Sequence, residues 1–258
     1  MKMNRKPFFQ LMLPVIVVFI LLILLLSSCS ARQDVELNTD GSGSTTVRID
    51  LHPIFVQYLR DLTAGLSSGS DASGGDLFRI FDEFKIAAAF ARTDGATLKD
   101  FRRTAPGHIE LTATFDNPAE VLPAPQQDGV PRVVQFSSTG GERSLQLTLT
   151  SENVSSLYSL VGMEEQQNML TFGPQPNPLT EEEYLDMMGY ALGTYAEGDE
   201  LERVLKSQNL HIVVQVDGEI TSAEGFTLRE GRAEATIPFL RPATLYHPLE
   251  LALSWKPR

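Results

Sequence analysis

Val35 and Leu37, then Val47, Ile49 and Leu51, alternate with polar residues on either side of Asp40-Gly41-Ser42-Gly43. A period of two broken by turn chemistry predicts a β-hairpin beginning near Asp34. The period then lengthens. Ile54, Phe55, Tyr58, Leu59, Leu62 and Leu66 recur at helical spacing after Pro53, a residue suited to a first helical turn. Beyond the Ser/Gly-rich stretch Ser67 to Gly75, residues Leu77, Ile80, Phe81, Phe84 and Ala88 mark a second helix.

Alternation returns over Thr97 to Arg103 and His108 to Phe115 around Pro106-Gly107, and over Arg132 to Ser137 and Arg143 to Leu149 around Thr139-Gly140-Gly141. Each connection is too short for a helical crossover, so these pairs are antiparallel. Asn117 to Pro131, with four prolines, reads as loop. Val154, Leu157, Tyr158 and Val161 fit a short helix, and Gly173 to Pro178 a loop. Thr180-x-x-Glu183 is a capping box opening a helix with Tyr184, Leu185, Met188, Ala191, Leu192 and Tyr195 on one stripe. A last helical piece spans Leu201 to Leu205, and strands at Ile212 to Val216, Phe226 to Leu228, Ala233 to Phe239 and Leu249 to Trp255 close the chain. The order predicts an α+β fold: a curved, mainly antiparallel sheet with helices packed on one face, residues 34–258 forming a single domain.

The N-terminus has a different pattern. Lys2, Arg5 and Lys6 precede an apolar run from Leu11 to Leu26, and Leu26-Ser27-Ser28-Cys29 follows the order of a lipoprotein cleavage box. Residues 1–28 are therefore expected to be a signal peptide cut between Ser28 and Cys29. Cys29 would carry diacylglycerol and palmitate-type acyl chains, and residues 29–33 would form a short lipidated tether. The competing expectation is an uncleaved anchor, because the apolar run approaches the roughly 20 residues that span a bilayer. Either way Ser30 to Arg258 lie outside the cytoplasm, held at the cell membrane or the outer membrane. Ser30 lacks the acidic character associated with inner-membrane retention, which favours the outer membrane where there is one.

Charge narrows the partners. Residues 1–28 hold three of the 21 basic residues and none of the 33 acidic ones, so the remainder carries a formal charge of −15. A domain this acidic is repelled by nucleic acid and by anionic membrane surfaces, both of which need a basic footprint. Cys29 is the single cysteine, which excludes disulfides and thiol catalysis once it is acylated. His52, His108, His211 and His247 show no zinc-ligand spacing, there is no Gly-x-Ser-x-Gly elbow, and no cofactor or metal motif is present. The chain therefore reads as a non-enzyme. Glu181, Glu182, Glu183, Asp186, Glu197, Asp199, Glu200 and Glu202 read as a solvated helical face rather than a calcium loop.

Two groups could bind lipid. Phe78, Phe81, Phe84, Tyr184 and Met188, with Met187 and Tyr195, could line an apolar pocket between helices and sheet, against the alternative of an ordinary packed core. Lys99, Arg102 and Arg103, next to His108, form a basic patch that could take an anionic headgroup, against the alternative that they protect a sheet edge.

A strand containing Asn38-Thr39-Asp40-Gly41-Ser42-Gly43 soon after the cleavage box resembles the opening of the LppM family of bacterial lipoproteins. The end is similar too: Leu210 to Val216, the turn Asp217-Gly218-Glu219-Ile220, a loop to Gly225, Ala233 to Phe239, and a terminal strand ending at Trp255. The family usually has Pro-Gly where this chain has Asp217-Gly218. The resemblance implies an α/β domain similar to lipid-binding folds, with envelope glycolipids as the ligand class, and transfers no contact residue. The expectation is a membrane-anchored lipoprotein that binds a lipid or other hydrophobic envelope component. The rival is a scaffold subunit of an envelope complex, docking through the acidic face and the Ser/Gly stretch.

Overall fold

A computed structural model describes residues 29–66, 83–91, 95–118, 129–154 and 177–258. The signal segment including Ser28, Phe78 and Phe81, the Ser/Gly stretch, and most of the predicted helix at Val154 to Val161 lie outside the described residues.

The chain runs β1 (Cys29–Leu37), β2 (Gly43–Leu51), α1 (Pro53–Leu66), α2 (Glu83–Phe90), β3 (Ala96–Ala105), β4 (His108–Phe115), β5 (Val134–Thr139) and β6 (Glu142–Leu149). It continues with α3 (Glu181–Leu192), α4 (Gly198–Ser207), β7 (Asn209–Val216), β8 (Gly218–Glu224), β9 (Thr227–Arg229), β10 (Arg232–Pro238), α5 (Leu240–Thr244) and β11 (Leu249–Pro257). The fold is α+β. Its strands form two sheets where one was expected: a seven-stranded sheet, β3-β4-β2-β1-β7-β10-β9, and a four-stranded sheet, β5-β6-β11-β8. Pairing is antiparallel except between β1 and β7, which run parallel at the centre of the larger sheet.

Alternation fixes the two faces of the large sheet. Ala31, Gln33 and Leu37 of β1, Thr45, Val47 and Ile49 of β2, Ile109 and Leu111 of β4, and Ile212 and Val214 of β7 are buried on its inner face. Each fully buried aliphatic side chain among them contributes about 1.5–3 kcal/mol relative to exposure. Near the Cys29 end this face is met by Ile54, Phe55 and Leu59 of α1 and by Tyr184, Met188, Leu192, Leu201 and Leu205 of α3 and α4. Toward the β1–β2 turn the smaller sheet covers it. The helices packed on this face therefore share it with a second sheet.

The chain crosses between sheets at a tight corner. β7 ends at Val216, the Asp217 amide donates to the Leu37 carbonyl at 2.9 Å, and β8 begins at Gly218 in the small sheet. A Cβ on Gly218 would lie 2.3 Å from the Lys256 carbonyl oxygen and 2.9 Å from Trp255 Cδ1, so the close approach of β8 to β11 requires glycine. The β1–β2 turn has a similar demand. Gly41 has φ +93°, and a Cβ there would sit 2.7 Å from the Phe136 ring.

The outer face of the large sheet is a charged lattice. Asp34 accepts from Arg32 Nη2 and from Arg48 Nη1, both at 2.8 Å, and Arg48 Nε reaches Glu110 at 3.4 Å. Burial pushes the Asp34 carboxyl up, but the hydrogen bonds and charges of Arg32 and Arg48 outweigh it and hold it below its ordinary value. A depressed carboxylate stabilises the fold above its unfolded pKa of about 3.9, and that contribution is lost as pH falls through the lower folded value. Asp34→Asn should lower stability at neutral pH by about 1 kcal/mol or less, because the pair is partly exposed. The gap between the thermal melts of the two proteins should narrow as pH falls below the ordinary carboxylate value of about 3.9; a gap that stays constant with pH would contradict the account.

Candidate functional site

Phe78 and Phe81 of the expected aromatic pocket lie outside the described residues, and the other three do not share one environment. Phe84 on α2 is 85% exposed, while Tyr184 and Met188 are fully buried in the core, Tyr184 packing against Phe239 with ring centroids 6.1 Å apart. On α2 it is Ile86 and Phe90, four residues apart, that face inward. Met187 is half-buried against the core, and Tyr195 donates from Oη to Asp61 at 2.9 Å while meeting Tyr58 edge-on. The Tyr195–Asp61 bond and the Tyr58–Tyr195 contact tie α1 to the segment just after α3.

Lys99, Arg102 and Arg103 lie on β3, the edge strand of the large sheet. The ladder with β4 shifts register on either side of Lys99 and again around Thr104, so the edge is bulged twice. Arg102 Nε sits 2.5 Å from Asp100, and Arg102 pairs across the ladder with Glu110. Exposed basic residues on a bulged edge discourage pairing with another strand. His108, at the start of β4, is bonded through Nδ1 to Asp50.

The acidic helices are partly neutralised. Glu183 accepts from the backbone and hydroxyl of Thr180, which holds its carboxyl below the usual range and completes the predicted capping box. Lys206 bridges Glu202 at 2.8 Å and Glu181 at 3.2 Å, and both contacts raise its pKa, Glu202 more than Glu181. Among the described residues no cluster of His, Cys, Asp and Glu is placed to hold a metal ion.

A different apolar site emerges between the two sheets. Val35 and Leu37 from β1, Ile212 and Val214 from β7, Phe115 from β4 and Pro118 beyond it face Val134 of β5, Leu145 and Leu147 of β6, and Leu251 of β11 across a cavity of about 70 Å³; Phe226 and the polar pair Gln33 and Thr45 complete the lining. The alternation of β1 aims three residues at this space and that of the other strands one or two. Gln33 and Thr45 are 6% and 1% exposed, and the Gln33 amide donates to Thr45 Oγ1 at 3.3 Å. That is the one side-chain hydrogen bond of Gln33 among the described residues, so amide capacity remains at an otherwise apolar wall. A few fixed polar groups in an apolar slot are what orient a mostly hydrophobic ligand.

The loop beneath this slot is pinned by Asn153. Its buried side chain donates to the carbonyls of Thr148 at 2.8 Å and Pro131 at 3.2 Å, and accepts from the Thr150 amide at 2.9 Å. This network joins the entry of β5 to the exit of β6. Sequence reasoning missed the slot, although a signal existed: Gln33 and Thr45 are polar residues standing in the apolar phase of their strands.

The small sheet also borders a larger, open groove of about 460 Å³ lined by Gly218, Glu219, Glu230, Lys256 and Arg258. It mixes both charge signs with the apolar side chains of Ile220, Leu228 and Pro257.

No family model matches this chain, and no curated protein matches it closely enough to count. Among solved structures it is similar to the folded domain of LppM from Mycobacterium tuberculosis, determined by NMR. The match has 10% sequence identity and a TM-score of 0.36, and covers 89% of this chain and 90% of that one. LppM is the protein after which the family resembled by the two terminal strand blocks is named. A likeness this loose carries no argument about ligand, partner or site.

Proposed function

We propose that this chain is an extracytoplasmic lipoprotein, anchored through Cys29, that binds the hydrocarbon chain of an envelope lipid between its two sheets without transforming it. The observation that supports this reading is the inter-sheet cavity, apolar except for Gln33 and Thr45. The slot of about 70 Å³ has room for roughly two water-sized groups, against the several hundred cubic ångströms of a full ligand site. Loading therefore requires β5–β6 to part from β1–β2. The loss of sheet-to-sheet contact is offset by the chain itself, which returns about 0.8 kcal/mol for each methylene it buries. The Gln33 amide then meets a carbonyl, ester or hydroxyl near the end of that chain.

The test is native mass spectrometry of the mature protein isolated from its own membrane, before and after organic extraction. The expected spectrum shows an additional, extractable lipid mass on top of the covalent acylation of Cys29. Repeated spectra without such a mass, from material that rebinds no added lipid, would contradict the proposal.

A further inference from the structure

The five residues expected to form a tether are already strand. The backbone of Cys29 pairs with Leu51, Ser30 with Asp50 and Ala31 with both Ile49 and Leu210, so the cysteine itself is already part of the large sheet. Ser30 is fastened further by its hydroxyl, which donates to Gln208 Oε1 at 3.3 Å. An anchor without a leash fixes orientation as well as location. From this we infer that the Cys29 end of the large sheet is a membrane-docking face, seated on the surface of the bilayer that holds the acyl chains. The inference rests on Cys29 being acylated, as proposed above.

Register identifies what shares that end. Leu51 donates its amide to the Gly107 carbonyl at 2.8 Å, which places the β3–β4 hairpin tip beside Cys29. Asp50 pairs with His108, and Asn209 with Pro238. The hairpin tip, Arg102-Arg103-Thr104-Ala105-Pro106-Gly107-His108, carries two arginines, with Arg102 paired to Asp100 and His108 bonded to Asp50. Every residue of it except Gly107 is exposed. Basic residues at a membrane surface are attracted to anionic headgroups. At the opposite end of the sheet Asp40, Asp116 and Asp217 are all exposed around the β1–β2 turn and the β7–β8 corner. An anionic surface repels that end. Nine strand residues at about 3.3 Å each separate the two ends by roughly 25–30 Å.

The geometry also sets the position of the inter-sheet slot. It begins at Gln33 and runs past Val35 to Leu37, toward the far end of β1. A chain lodged there has left the anchoring bilayer.

Orientation is measurable because acylation consumes the one native thiol, leaving an introduced cysteine as the single labelling site. The mature acylated protein carrying Thr104→Cys or Asp40→Cys is labelled with a fluorophore and reconstituted into phosphatidylcholine–phosphatidylglycerol vesicles. The vesicles contain lipids spin-labelled at the headgroup. The Thr104→Cys emission should lose most of its intensity and the Asp40→Cys emission little. Equal losses, or the reverse order, overturn the orientation while leaving the anchor intact. An intact mass without acyl chains removes the premise and overturns both. If Thr104→Cys fails to fold, Ala105→Cys reports from the same turn.

Discussion

Trp255→Ala should destabilise the protein by about 3–5 kcal/mol, the range for truncating a fully buried tryptophan. Trp255 is 0% exposed, tilted against Phe136 with ring centroids 6.0 Å apart, and pairs in register with Arg143 on one side and Ile220 on the other. It also supports the crossing between sheets, since its Cδ1 occupies the space a side chain on Gly218 would need. Removing the indole opens a hole at the point where β8, β11 and β5 meet. For a domain of this size each kcal/mol moves the melting temperature by about 2–4 °C, so a fall of roughly 6–20 °C is expected. Trp255 Nε1 is buried without a hydrogen-bond partner among the described residues. Trp255→Phe therefore sacrifices volume and no hydrogen bond, and should cost less than half as much. The chain contains one tryptophan, so the variants are best followed by far-UV circular dichroism. A cost below about 1 kcal/mol for the alanine variant would show that the corner is not a packed junction.

Leu147→Trp should abolish lipid binding while leaving the protein folded. Leu147 lies on β6, in register with Val134 and Leu251, and all three line the slot. An indole at this position fills the cavity of about 70 Å³ and closes the path of an entering chain. Overpacking costs about 1–3 kcal/mol, which a domain of ordinary stability survives. Affinity for a fatty acid should fall at least about tenfold, a loss of about 1.4 kcal/mol, read by calorimetric or fluorescent-probe titration. Val35→Phe blocks the same slot from the facing sheet and serves if the first variant unfolds. Unchanged affinity in both folded variants would place any bound lipid elsewhere.

The sequence made local geometry visible and long-range geometry hardly at all. The hairpin turn at Asp40 to Gly43 was legible because its chemistry is local: the Ser42 amide donates to Asp40 Oδ1 at 2.9 Å and Gly41 takes a positive φ. The capping box at Thr180 was legible for the same reason. The parallel pairing of β1 with β7 was not, because it joins Ala31 to Leu210 and nothing in either strand names its partner. β8 was read as turn and loop, since only Ile220 and Ala223 are apolar among its mostly exposed residues. α5 is a single short turn containing Pro242, which argues against a helix from sequence alone. Phe84 was assigned to the wrong side of α2 because that helix is apolar nearly all round, so no stripe selects its buried face.

The site was the least legible part. Its lining comes from β1, β2, β4, β5, β6, β7 and β11, and from the connections that carry Pro118 and Phe226. No motif can encode a surface to which most segments contribute one or two residues. The Cys29 box was read from sequence as an expected address, and the pairing of Cys29 with Leu51 is what the structure adds to it.

The most direct test of chain binding between the sheets is photo-crosslinking of the mature protein with a long-chain fatty acid bearing a diazirine midway along its tail, followed by peptide mass mapping. The account predicts adducts on residues of the slot, such as Val35, Leu147 and Phe226, and their disappearance in Leu147→Trp. Adducts confined to the helices or the hairpin tip, unchanged in that variant, would contradict it.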